Sequence, residues 1–83
     1  MYVHLGGDTV IRSADMITIL DYNHIEQGKA MESFLTSFAQ QKKLLWISEQ
    51  TMTKSIVVTD QYVYGSPISS LTLLKRTTEE TYR

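Results

Sequence analysis

The sequence predicts one small α+β domain, a mostly antiparallel β-sheet carrying two helices. Three observations lead there. The chain has 83 residues, 42 % hydrophobic and 20 % charged, which is the balance of a single folded domain and not of a disordered segment. Two pairs of β-type runs are each joined by a very short turn, which only antiparallel neighbours allow. Two further stretches repeat their apolar residues at helical spacing.

The elements follow in order. Residues 2–5 (Tyr-Val-His-Leu) alternate as an extended strand does, and Gly6, Gly7 and Asp8 supply a turn in which glycine reaches positive φ without a Cβ clash. Thr9 to Arg12 return as the second strand, with a bulge expected at Gly6 or Gly7. Met16 to Leu20 is the most β-like run of the chain, apolar enough to expect cover on both faces. Asp21 to Gly28 reads as a polar loop. Ala30, Met31, Phe34, Leu35, Phe38 and Ala39 then share one face of a helix that should lie across the sheet and end near Lys42 and Lys43, cations suited to its negative end.

Leu44 to Ile47 reads as a strand, Ser48 to Thr53 as a polar loop, and Lys54 to Thr59 as a further strand. Asp60 and Gln61 make a two-residue connection to Tyr62, Val63 and Tyr64, a second hairpin. Ser66 is placed as an N-cap with Pro67 at the first helical position, opening a short helix through Ile68, Leu71 and Leu74 to about Arg76. The order β-β-β-α-β-β-β-α contains no linker or repeat, so it reads as one domain over 1–76 with a polar tail, 77–83, that frays.

Charge and residue usage exclude several function classes. Eight Lys and Arg against nine Asp and Glu give a net charge of −1, so total charge cannot drive nucleic-acid binding, although a local basic face can. The absence of Cys removes disulfides, thiol nucleophiles and zinc ribbons, and two His are too few for an all-histidine metal site. Apolar runs are far too short for a membrane span, and no charged-then-apolar leader opens the sequence. The expectation is a soluble cytoplasmic domain with no membrane association. Its small size, without disulfide or metal, makes oligomerisation a source of further burial.

No catalytic constellation can be named, so the chain is expected not to be an enzyme and to carry no cofactor. Gly6-Gly7-Asp8 lacks the lysine of a phosphate loop and joins two strands. Asp8, Asp15 and Asp21 lie in different loops without metal-ligand spacing and read as surface or capping residues. His4 reads as a half-buried structural histidine and His24 as an exposed loop residue. Trp46 is assigned to the core or to a subunit interface. Tyr62 and Tyr64 share a strand face, where packing under a helix competes with stacking on single-stranded bases.

The basic residues Arg12, Lys42, Lys43, Lys54, Lys75 and Arg76 have two readings. Helix-end electrostatics and solvated surface is the plainer one. The other is phosphate contact repeated around an oligomer, where weak contacts add along one duplex and make binding steeply salt dependent.

Three segments carry a family resemblance: Met-Tyr-Val-His-Leu-Gly-Gly-Asp at 1–8, Ser-Ala-Asp-Met-Ile-Thr-Ile-Leu at 13–20, and Lys-Ser-Ile-Val-Val-Thr-Asp at 54–60. They resemble the RemA/RemB family of small bacterial regulators, and Tyr64 to Arg76 looks like its RemB branch. The resemblance spans residues 1–76. It implies a LytTR-like fold, a homo-oligomeric ring expected to be heptameric, double-stranded DNA as partner, and cytoplasmic transcriptional regulation of extracellular-matrix (biofilm) genes. In the leading reading Arg12 and Lys54 contact phosphates, with Lys42, Lys43, Lys75 and Arg76 as weaker contacts, none carrying a base code. In the rival reading the ring persists but binds a protein partner and has lost DNA.

The pattern also departs from the family. Asp15 stands where the family has an arginine before the Ile-Thr-Ile-like strand, and Thr51 and Met52 stand where it has an arginine pair. Lys54 keeps its basic character. Arg12 can replace part of the lost charge, and Asp15 repels a phosphate unless it is turned away or paired.

Overall fold

The computed structural model describes residues 2–22, 29–41 and 43–81. Its order is β1 (Tyr2–Gly6), β2 (Thr9–Arg12), a 3₁₀ turn (Ser13–Asp15), β3 (Met16–Asp21), α1 (Lys29–Gln40), β4 (Leu44–Trp46), a 3₁₀ turn (Gln50–Met52), β5 (Ser55–Thr59), β6 (Val63–Ser66) and α2 (Ser70–Thr81). The expected order of strands and helices is therefore observed. His24 and Lys42 lie outside the described residues, as do residues 23–28 of the polar loop and the side chains of Ala30, Met31 and Phe38.

The strands form two sheets. The β1–β2 hairpin stands alone, and a four-stranded sheet runs β3-β5-β6-β4. Gly6 and Gly7 take φ of 118° and 53°, and the ladder slips between His4 and Gly6, the anticipated bulge. A Cβ on Gly6 would lie 2.9 Å from the Pro67 ring, so the turn needs glycine for space as well as for φ. The β5–β6 turn is closed by Thr59, whose Oγ1 donates to the Tyr62 carbonyl at 2.7 Å and accepts from Tyr62 N–H at 2.9 Å.

In the larger sheet β3–β5 and β5–β6 are antiparallel, whereas β4 joins β6 in parallel. β4 therefore runs parallel to β3 at the opposite edge, which requires a crossover; the chain between them contains α1.

Strand register divides the core. Val57 pairs with Ile19 and Tyr64, so all three face one side. There they meet Val3 and Leu5 of the hairpin and Leu73 of α2. Ile56 pairs with Leu20 and Gly65 and faces the other side, where Val63, Tyr22, Leu44, Trp46 and Leu35 of α1 gather. The central sheet is thus sandwiched by the hairpin and α2 on one face and by α1 on the other. Trp46 lies over Gly65, where an added Cβ would fall 2.6 Å from ring atom Cζ3. It meets Tyr22 edge-on at 6.1 Å, a core position in this chain.

Several expectations need correction. Ser66 ends β6 and does not cap the last helix. It is fully buried, donates Oγ–H to the Leu5 carbonyl at 2.6 Å and accepts from Ile68 N–H at 3.1 Å. Ser69 is the cap, its Oγ accepting from Thr72 N–H at 3.2 Å. With the helix starting at Ser70, Pro67 falls in the connection before it. α2 also continues past Arg76 to Thr81, with no Gly or Pro to stop it and with the Thr77 hydroxyl on the Leu74 carbonyl at 2.8 Å.

β3 is not covered on both faces. It is an edge strand, irregular between Met16 and Thr18, and Ile17 is 66 % exposed. His4 is exposed and not half-buried, its Nε2–H closing the hairpin turn on the Gly7 carbonyl at 2.7 Å. On α1 the apolar stripe is only partly covered, since Leu35 is half-buried while Phe34 and Ala39 are exposed.

Candidate nucleic-acid interface

The site begins with Arg12, the last residue of β2. The 3₁₀ turn that follows is closed by Met16 N–H on the Ser13 carbonyl, and it brings residue i+3 back over residue i. Arg12 therefore meets Asp15 directly. Its Nε donates to Oδ2 at 2.9 Å and its Nη2 to Oδ1 at 3.0 Å, a two-bond fork. The carboxylate pushes the guanidinium further above its already high pKa, first through the hydrogen bond and then through charge. The sequence shows only opposite charges three residues apart; the turn that brings them together and the two-bond geometry are seen in the structure.

A shallow groove of about 260 Å³ opens beside this pair, walled by Tyr2, Tyr62 and Tyr64 and carrying a second carboxylate, Asp60. Tyr62 and Tyr64 lie 6.1 Å apart between ring centres, on one face as expected. Tyr64 packs on the Val57–Leu73 cluster, whereas Tyr62 is exposed. Burial pushes the Tyr64 hydroxyl above its usual pKa, and Tyr62 and the Asp15 charge add to the shift.

The other cations do not join Arg12. Lys54 precedes Ser55 at the far end of β5, while Arg12 shares its groove with Thr59 and Asp60. The length of β5, on the order of 15 Å, separates them. Lys43 sits at the start of β4, its carbonyl accepting from Val63 N–H at 2.8 Å. Arg76 is occupied, its Nη1 donating to the His4 carbonyl at 2.9 Å and tying α2 to the hairpin. Lys75, beside it on α2, is exposed. Among the described residues Lys43, Lys54 and Lys75 are exposed and have no ion-pair partner. Each offers a point charge that suits phosphate and reads no base.

No three His, Asp or Glu of the described residues gather as a metal site. No helix among them is long and apolar enough to cross a membrane. A wider cleft of about 610 Å³ lies between α1 and the sheet, lined by Tyr22, Glu32, Leu35, Leu44, Trp46 and Gln50. Gln50 Nε2 donates to the Tyr22 hydroxyl there at 3.0 Å.

Comparison with known proteins places these features in a family. A family model described as RemA-like, extracellular matrix regulatory protein A-like, matches residues 2–77. The chain is similar to extracellular matrix regulatory protein B of Bacillus subtilis (strain 168), with 42 % identity over 76 residues, covering 92 % of this chain and 89 % of the relative. With a match over nearly its whole length, the chain belongs to the RemA-like family, and among its members it is similar to the B protein.

Proposed function

We propose that this protein is a cytoplasmic regulator of extracellular-matrix genes that binds duplex DNA through its backbone as a ring-shaped homo-oligomer. The observation that carries the reading is the dispersal of exposed cations, Lys43, Lys54 and Lys75, over separate parts of a chain whose net charge is −1. One copy presents too few phosphate contacts to hold a polyanion. Repetition around a closed assembly multiplies them along a single duplex. Exposed large side chains offer surface that assembly would cover: Leu71 is 78 %, Tyr2 68 % and Ile17 66 % exposed. The name of the B. subtilis relative supports the matrix role.

Within this reading Lys54 is a stronger contact than Arg12, whose fork Asp15 already fills. An electrophoretic shift series across salt concentration, paired with solution mass, tests it. A multimer that shifts duplex at low salt, loses the shift as salt rises and weakens on Lys54→Ala is expected. A strict monomer, no shift at low salt, or a shift untouched by Arg12→Ala with Lys54→Ala would overturn it.

A second reading keeps the oligomer but gives it a protein partner. The engagement of Arg12 by Asp15 and of Arg76 by His4 favours it, because two of the five described candidate cations have internal partners. Recovery of a protein from native extract, free of nucleic acid, together with a null shift assay, would select this reading.

A further inference from the structure

We propose that Asp15 is a built-in competitor for phosphate, occupying the Arg12 fork and holding down the affinity of this protein for a nucleic-acid backbone. The inference rests on the DNA reading above and adds a control element to it. The in-plane pair of donors that Arg12 gives to Asp15, at 2.9 and 3.0 Å, is the same pair a guanidinium gives to two phosphate oxygens. Both ligands cannot take it at once. The pairing is set by the chain's own backbone, since the closed 3₁₀ turn returns Asp15 to Arg12 without help from a distant element.

The fork also faces outward. The Arg12 side chain is 64 % exposed and Asp15 29 %, so a phosphate can approach from solvent and the pair can exchange. Asp60 contributes a second carboxylate to the same groove. Two acidic side chains against one arginine leave the groove net negative, and an arriving phosphate meets repulsion as well as an occupied donor. Removing the Asp15 charge relieves both effects. Removing the Asp60 charge relieves only the repulsion, because Asp60 makes no hydrogen bond to Arg12.

The test compares wild type, Asp15→Asn, Asp60→Asn and the double variant Arg12→Gln with Asp15→Asn, on a duplex of fixed length across a salt series. Asp15→Asn should bind about tenfold tighter or more, because one freed contact per subunit repeats along the duplex, and its log–log salt slope should steepen by about 0.9 for each contact made. Asp60→Asn should gain less, and the double variant should lose the gain. Asp15→Ser repeats the experiment with a different side chain, and a thermal melt of each variant confirms folding. An Asp15→Asn variant no tighter than Asp60→Asn, or a gain that survives loss of Arg12, overturns the proposal. If wild type binds and weakens on Lys54→Ala while Asp15→Asn changes nothing, only this inference falls. If no variant binds at low salt, the DNA reading falls with it.

Discussion

The two faces of the central sheet are built differently. On the hairpin and α2 side, Val3, Leu5, Val57 and Leu73 are essentially excluded from solvent. Two fully buried serines lock that side: Ser66 on the Leu5 carbonyl at 2.6 Å, and Ser55 on the Ile68 carbonyl at 2.7 Å. Arg76 fastens the helix to β1 from outside. On the α1 side the buried set among the described residues is Tyr22, Ile56 and Val63, with a half-buried Leu35 from the helix, and a cleft of about 610 Å³ lies between the helix and the sheet. One face is closed by apolar packing and distant hydrogen bonds together. The other is held by packing and by the Gln50–Tyr22 hydrogen bond, and among the described residues it closes incompletely.

The largest expected effect breaks the closed face. Leu73→Ala should destabilise the protein by roughly 2–5 kcal/mol, the range for a fully buried leucine, while Leu35→Ala on α1 should cost less than half as much. Urea unfolding of both variants checks this, and equal losses would show that the two faces contribute alike.

A middle effect targets the tightest point of the α1 face. Gly65→Ala drives a methyl into the Trp46 ring, and the strain should cost about 1–3 kcal/mol with a changed tryptophan emission maximum. An unchanged emission and melt would mean that this face has room to adjust even there.

The smallest effect concerns pH. The raised pKa of Tyr64 means that the unfolded chain, with the ordinary value of 10.0, releases this proton first as pH rises. Its contribution to stability is present below pH 10 and lost as pH climbs through the folded value. Tyr64→Phe should therefore reduce the loss of stability as pH rises above 10.0, read as the difference in unfolding midpoint from wild type.

Legibility in the sequence followed range. The Gly6–Gly7 bulge, the Asp60–Gln61 turn and the spacing of α1 depend on residues a few positions apart, and each was readable. Ser66 has the local context of a helix cap, serine before proline, but its hydrogen-bond partner at Leu5 is 61 residues away and outside any local signal. The apolar composition of β3 cannot distinguish a central strand from the edge strand it forms. Among the site residues the charges were visible, but not their grouping. Arg12 and Lys54 are both cations beside strands, and only the course of β5 shows that they stand at its opposite ends.

Turn chemistry, hydrophobic period and net charge belong to short windows of chain, and they are enough to specify eight elements in order and a protein whose total charge does not attract nucleic acid. Which strands become neighbours, that β4 joins β6 in parallel, and that the tyrosine groove forms beside the Arg12–Asp15 pair all depend on contacts between segments far apart in sequence. Those contacts arise when several weakly preferred elements bury apolar surface together, and that cooperative free energy is not a property of any one segment.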